Sequence, residues 1–275
     1  MSNPLLQQYG PWALIAGGSE GIGLCFAREL AAAGINLLLL ARREEPLKAA
    51  QELLRKDYKI EVHIQPMDLT APDLEAQLIH ATDGLDIGLL IYNAGAVHGA
   101  GLFLDESLGK AHKMIMLNCI GPATFSHYLG KRMRQRGRGG ILLMSSLSGL
   151  SGGAYIATYA ATKAFDIVLA ESLWAELSPS GIHVLSLVAG ATETPAMAAS
   201  GIRFNSGDAM NPMAVAQEGL AHLPYGPLHV AGESNRLGAA VLRSEDRRQS
   251  VSMMSAGSAG LYGLPTPTLP ATDPS

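Results

Sequence analysis

The chain has little cysteine and little charge, and it has no long apolar run. Cys25 and Cys119 are its two cysteines in 275 residues, both set in apolar patterns. Two are too few for a disulfide framework, so a reducing compartment, the cytoplasm, is expected. Charged residues make up 16% of the chain and the net charge is −4, which argues against a general nucleic-acid binder. A basic run, Lys131-Arg132-Met133-Arg134-Gln135-Arg136-Gly137-Arg138, falls where a helix should end. Cations there complement the helix dipole, a better reading than a phosphate-binding patch. The opening MSNPLLQQYG has neither the positive start nor the apolar core of a secretion signal. No uninterrupted apolar stretch approaches the ~18 residues a membrane span needs. What is present is core material: 48% of the chain is hydrophobic.

Short apolar runs alternate with amphipathic stretches. Residues 12–16, 37–41, 61–67, 87–92, 141–145, 183–188 and 228–231 read as strands; 22–33, 45–57, 73–81, 110–136 and 159–177 read as helices. This alternation predicts an α/β fold: a doubly wound parallel sheet, Rossmann-like, of about seven strands with helices on both faces. No linker divides the chain, so residues 1–263 are expected to form a single domain. A Pro- and Thr-rich tail, 264–275, is expected to be disordered. Ligands of such sheets bind beyond the carboxyl ends of the strands, which directs attention to the loops after Ala16, Ala41, Met67, Tyr92, Ser145 and Val188.

The first of these loops, Gly17-Gly18-Ser19-Glu20-Gly21-Ile22-Gly23, has three readings. Gly17 to Gly21 fits G-x-S-x-G, the turn that presents a hydrolase serine, but it follows the first strand and no histidine is marked out as a partner. A merely structural turn is the second. The third is a dinucleotide site, in which the unpaired N–H groups and dipole of the following helix hold a pyrophosphate. Context favours the third. The second strand ends "LLLLARREE", with Ala41, Arg42 and Arg43 where an NAD site places a carboxylate. Arginine can bond a 2′-phosphate in bidentate fashion, so NADP(H) is expected over NAD(H). Against this stand the reading of both arginines as solvated strand-end charges and the carboxylate of Glu20 in the turn.

Further along, "MSSLSG" ends the fifth strand with Ser145 and Ser146, and "YAATK" places Tyr159 and Lys163 on one helix face. A phenol with a reference pKa near 10 must lose about three units, roughly 4 kcal/mol, to work as an acid–base group at neutral pH. An ammonium about 4 Å away supplies roughly that much at an effective dielectric near 20. Either feature alone is commonplace, since Tyr–Lys pairs occur by chance and serines cap turns. Asn118, in the middle of a helix, hints at a kink or a buried bond.

Taken together, these segments resemble the short-chain dehydrogenase/reductase family over roughly residues 10 to 263. The matching pieces are Gly17, Gly21 and Gly23, the "NAG" of Asn93, Ala94 and Gly95, Asn118, Ser146, and the Y-x-x-x-K of Tyr159 and Lys163, with Asp68 in "MDLT". The resemblance implies roles. Tyr159 transfers the proton at the substrate oxygen, Lys163 lowers its pKa and bonds the nicotinamide ribose, Ser146 holds the substrate oxygen, and Asn118 positions a water in a proton relay. It further implies that Ser19, Glu20 and Ile22 border the cofactor beside the glycines, that Asp68 bonds the adenine, that Asn93 supports the pocket, and that Thr192 and Thr194 lie near the nicotinamide amide or pyrophosphate. No metal is implied. Departures are Ala189-Gly190 where the family has Pro-Gly, which removes a fixed φ, and Ala16 for a common threonine.

Residues 195–225 are expected to cover the active site as a lid with Met197, Phe204, Met210 and Met213, flexible side chains suited to apolar ligands; a cover packed on the protein's own core is the alternative. "HVAGESNRLGAAVL" resembles reductases of the long-acyl-ketone and hydroxysteroid group. The expected reaction is hydride transfer between NADP(H) and a bulky, apolar ketone or secondary alcohol; a cofactor-sensing or scaffold protein without turnover is the rival. The Tyr159 helix is apolar on nearly every side, with Phe165, Ile167, Val168, Leu169, Leu173 and Trp174. That predicts a homodimer or homotetramer, unless the C-terminal segment covers the helix.

Overall fold

A computed structural model describes residues 3–95, 99–199 and 209–268. In chain order the elements are α1 (Pro4–Tyr9), β1 (Trp12–Ala16), α2 (Gly21–Ala32), β2 (Asn36–Ala41), α3 (Glu44–Asp57), β3 (Val62–Pro66), α4 (Leu74–Ala81), β4 (Ile87–Tyr92), α5 (Leu108–Ile115), α6 (Gly121–Arg136) and β5 (Gly139–Ser146). Then follow α7 (Ala157–Leu177), β6 (Ile182–Ala189), α8 (Pro195–Ala199), α9 (Pro212–His222), β7 (Leu228–Val230), α10 (Glu233–Leu242) and α11 (Arg247–Tyr262).

The seven strands form one parallel sheet in the order β3-β2-β1-β4-β5-β6-β7. Parallel strands covered on both faces must be apolar throughout, and every residue of β1 and β4 is buried. Alternate side chains serve opposite layers. Ala13, Ile15, Leu37 and Leu39 pack with Phe26, Leu30, Leu47, Leu54, Val215 and Leu220 of α2, α3 and α9. Trp12, Leu14, Leu38 and Leu40 belong to the layer holding Phe125, Leu129, Met133, Ala170 and Leu177 of α6 and α7. The chain reverses direction across the sheet between β1 and β4, where Ala16 pairs with Tyr92. A crevice at such a switch point is the binding place of these folds.

The helix expected over 110–136 is broken. Residues Met116–Ile120 form a π turn between α5 and α6. A π turn leaves a carbonyl without its usual partner; here the Tyr92 hydroxyl donates to the Leu117 carbonyl at 2.7 Å. Gly121 makes room for it, since a Cβ at that position would overlap the Tyr92 hydroxyl. The basic run does end a helix: Gly137 closes α6 in the left-handed region at φ 71°, and Arg136 bonds Asp86 at 3.0 Å and the Gly10 carbonyl at 2.7 Å.

Helices α1, α8, α9, α10 and α11 lie outside the sequence expectation. Within the stretch read as a lid, α9 buries Val215, Ala216 and Leu220 against α2. Phe204, read as part of the lid, and residues 269–275 of the tail lie outside the described residues. Among the described residues no helix is long and apolar enough to cross a membrane.

Candidate active site

A cleft of about 400 Å3 opens beyond the carboxyl ends of the strands. That volume lies within the usual range for small-molecule sites. Its wall includes Glu20, Gly21 and Ile22 from the first turn, Asn93 and Gly95 after β4, Ser145 and Ser146 at the end of β5, Tyr159 and Lys163 of α7, and Thr192 and Thr194 after β6.

The glycine turn is built for close backbone approach. Gly17 (φ 79°) and Gly21 (φ 55°) occupy the left-handed region that disfavours a Cβ. A Cβ at Gly23 would overlap the Gly17 carbonyl oxygen. The same oxygen accepts a hydrogen bond from Asn93 Nδ2 at 2.9 Å, so the end of β4 holds the turn. No side chain caps α2, leaving its first N–H groups facing the crevice as donors for an anion. This cradle fits a dinucleotide pyrophosphate.

Glu20 does not stand alone beside that place, because its carboxylate pairs with Arg43. Arg42 is exposed at the end of β2. Asp68 accepts from the Thr70 backbone N–H at 2.9 Å and the Thr70 hydroxyl at 2.8 Å. These bonds, with a smaller pull from Arg42, hold its carboxyl below the usual range. Thr192 is buried and Thr194 packs against Gly21. Ser19 lies in the glycine turn and Ala94 follows β4, beside the residues that line the cleft.

Four side chains converge on the inner end. Ser146 lies at the tip of β5, its hydroxyl accepting from the Ser148 N–H at 3.2 Å; it caps a short turn and faces the cleft at once. Tyr159 is half-buried and also borders a second, apolar cavity of about 240 Å3 lined by Phe103, Leu104, Leu108, Met114 and Ile156. Lys163, one turn on, is buried, with Nζ bonded to the Met144 carbonyl at 2.8 Å and Asp166 Oδ2 at 2.9 Å. Burial opposes its charge, but Asp166 and then Tyr159 outweigh that, and its pKa lies above the ordinary lysine value. The fourth, Asn118, sits in the π turn, fully buried, its Nδ2 bonded to Thr162 Oγ1 at 3.0 Å and its Oδ1 without a partner. A Cβ at Gly95 would lie 3.5 Å from this Oδ1 and 3.1 Å from Lys163 Nζ, so both atoms border the space that the glycine leaves open.

Sequence reasoning missed Asp166 and the far wall of the cleft, formed by Ser258, Leu261 and Tyr262 of α11. Burial, and to a smaller degree Tyr159, raises the Tyr262 pKa. Signals for both exist: a carboxylate three residues after Lys163 in an otherwise apolar run, and Asp246-x-x-Gln249, whose Asp246 side chain caps α11 by accepting from the Gln249 N–H at 3.0 Å.

The model of the short chain dehydrogenase family matches residues 11–202. The 7beta-hydroxysteroid dehydrogenase of Clostridium sardiniense is 32% identical over 240 residues, spanning 84% of this chain and 88% of that one. A very-long-chain 3-oxoacyl-CoA reductase of Podospora anserina is 35% identical over 191 residues, 67% of this chain and 56% of that one. Among solved structures, a 7beta-hydroxysteroid dehydrogenase superposes with a TM-score of 0.85 at 27% identity, covering 91% of this chain and 98% of that chain. A short-chain dehydrogenase from Sphingobium yanoikuyae in complex with NADPH gives 0.75 at 30% identity, covering 84% of this chain and 92% of that chain. The chain belongs to the short-chain dehydrogenase family. Its activity is that of this family of oxidoreductases, which act on alcohol and carbonyl groups with nicotinamide cofactors.

Proposed function

We propose that the protein is an NADP(H)-dependent reductase of bulky, apolar ketones. The observation that carries this reading is the placement of Tyr159: its ring borders both the cleft and the apolar cavity, with the buried ammonium of Lys163 one turn behind it. A bound nicotinamide supplies the hydride. The Tyr159 phenol delivers the proton to the carbonyl oxygen, and Lys163 favours the phenolate so formed and offers a donor to the cofactor ribose. Ser146 donates its hydroxyl to the same carbonyl oxygen, and Asn118 Oδ1 orders the water that returns a proton towards Lys163.

Gly17, Ser19, Gly21, Ile22 and Gly23 would hold the pyrophosphate, Asp68 the adenine, Asn93, Ala94 and Gly95 the inner edge, and Thr192 and Thr194 the nicotinamide end. Arg42 would take the 2′-phosphate, and Arg43 would neutralise Glu20. The NADPH complex of the Sphingobium relative supports the cofactor choice, and the hydroxysteroid and long-acyl relatives support a large apolar substrate. Residues 195–199 would cover part of the site, since Pro195, Ala196 and Met197 line the cleft. Exposed Phe165, Val168 and Trp174 on α7, with Ile115 and Ile120 beside them, support pairing of two copies through these helices. Two free cysteines suit the cytoplasm.

The test is loss of NADPH absorbance with a panel of bulky ketones, run beside NADH and beside Tyr159→Phe. Turnover with NADPH that vanishes in the Phe variant is the expected result. NADH-only turnover overturns the role of Arg42. Binding of NADPH with no reduction of any ketone overturns the enzyme reading in favour of a cofactor sensor.

A further inference from the structure

Lysine carries three N–H donors on a flexible stem. Two of those of Lys163 are engaged inside the protein, by the Met144 carbonyl at 2.8 Å and Asp166 Oδ2 at 2.9 Å. The third is left for the cleft, whose wall Lys163 forms. Lys163 and Asp166 are 5% and 2% exposed, so neither charge is screened by water and each is the other's partner. Seen from a distance, such a pair acts as a dipole, and its field is weaker than that of a lone ammonium.

We propose that Asp166 is a positioning residue for the reaction: it aims the free donor of Lys163 and tempers the field that Lys163 exerts on the cleft, and so sets the pH dependence of turnover. The inference rests on the reading of Tyr159 as the proton donor. Asp166 is buried with one oxygen, Oδ1, unbonded, so an amide can take its place with its oxygen still accepting from Lys163. The other groups that face it are Tyr92 from β4, Cys119 from the π turn and, through Lys163, Tyr159 on its own helix. Burial, and then Asp166, keeps Tyr92 and Cys119 neutral at neutral pH, Tyr92 well above the ordinary range and Cys119 at about 11. Neither can replace the carboxylate as counter-charge.

The experiment follows NADP+ reduction with the secondary alcohol corresponding to the best ketone of the panel, from pH 6 to 10, for wild type, Asp166→Asn, Asp166→Glu and Tyr159→Phe. Removing the negative charge unmasks the field of Lys163 while its ammonium persists, and removes the partner that keeps that ammonium charged against burial; either way the kcat/KM limb should shift by about one pH unit in Asp166→Asn, the size expected of a unit charge several ångströms away. Asp166→Glu keeps the charge but displaces it. Its limb should stay in place while kcat falls about fivefold or more. A superimposable limb in folded Asp166→Asn overturns the electrostatic role, and unchanged kcat in Asp166→Glu overturns the positioning role, a readout that also decides if the Asn variant fails to fold. Where Tyr159→Phe is inactive and both Asp166 variants behave as wild type, only this inference fails. Turnover by Tyr159→Phe removes the reading beneath it, and both fall together.

Discussion

Asn93 Nδ2 donates to the Gly17 carbonyl oxygen at 2.9 Å, across 76 positions of sequence. Two loops at the switch point are thereby held as one unit, because the Gly17 N–H is in turn bonded to the Leu40 carbonyl at 2.7 Å. Asn93→Ala removes the donor and leaves the carbonyl without it. Urea unfolding should show a loss of about 1–2 kcal/mol, and fluorescence titration should show NADPH binding weakened severalfold as the turn loosens.

Gly121 and Tyr92 form a coupled pair around the π turn. Gly121→Ala pushes a methyl group into the Tyr92 hydroxyl, which must leave the Leu117 carbonyl. A loss of about 2 kcal/mol or more is expected from overpacking and a broken bond. In Gly121→Ala with Tyr92→Phe the worst overlap goes and only the 2.8 Å approach to the ring Cζ remains, so the two changes should cost less together than the sum of their separate effects, as a double-mutant cycle in urea would record.

Arg42 and Arg43 should differ in their influence on the cofactor. Arg43 is already paired with Glu20, whereas Arg42 is exposed at the strand end. Arg42→Ala should raise KM for NADPH about tenfold, the worth of ~1.4 kcal/mol in a charge-assisted phosphate bond, with KM for NADH unchanged. A smaller effect is expected of Arg43→Ala.

Acid should weaken the fold through half-buried imidazoles. Burial holds His183 below its ordinary pKa of 6.5, and its Nδ1 lies 2.8 Å from the Tyr9 hydroxyl. His229 is lowered chiefly by burial as well. A group whose folded pKa is depressed contributes stability that is complete above its unfolded pKa and is lost as pH falls through the folded value. The two histidines should therefore lower the melting temperature between pH 7 and pH 5, a fall that Asp166, its carboxyl pushed up to about 6 by burial, offsets in part. His183→Gln should flatten part of that fall, and the remainder belongs in part to His229.

Much of this was legible in the sequence for one reason. The glycine turn, the strands and the Tyr159–Lys163 spacing are local patterns, and local patterns survive without knowledge of what packs where. Asn118 was legible as an anomaly, a poor helix residue in mid-helix, and the structure gives its cause in the π turn. Helix α11 was legible only at its Asp246-x-x-Gln249 cap, because its inward face is made largely of serines that read as polar. Ser250, Ser255 and Ser258 are buried, each hydroxyl donating to a carbonyl four residues earlier in the same helix. Self-satisfied in this way, they pack as small side chains do, and no apolar period announces them. Asp166 was hidden by the opposite effect, since a carboxylate on an apolar helix reads as a solvated edge until its lysine partner is seen beside it.

The position of α11 also has a consequence for how the protein comes into being. Residues 12 to 190 furnish six of the seven strands, the turn and the reacting side chains, yet one side of the cleft stays open until residues 258 to 262 have docked. The chamber is therefore unfinished, and chemistry waits, until α11 has docked. A label attached directly after Tyr262 would sit beside the chamber itself, so its choice bears on any measured rate.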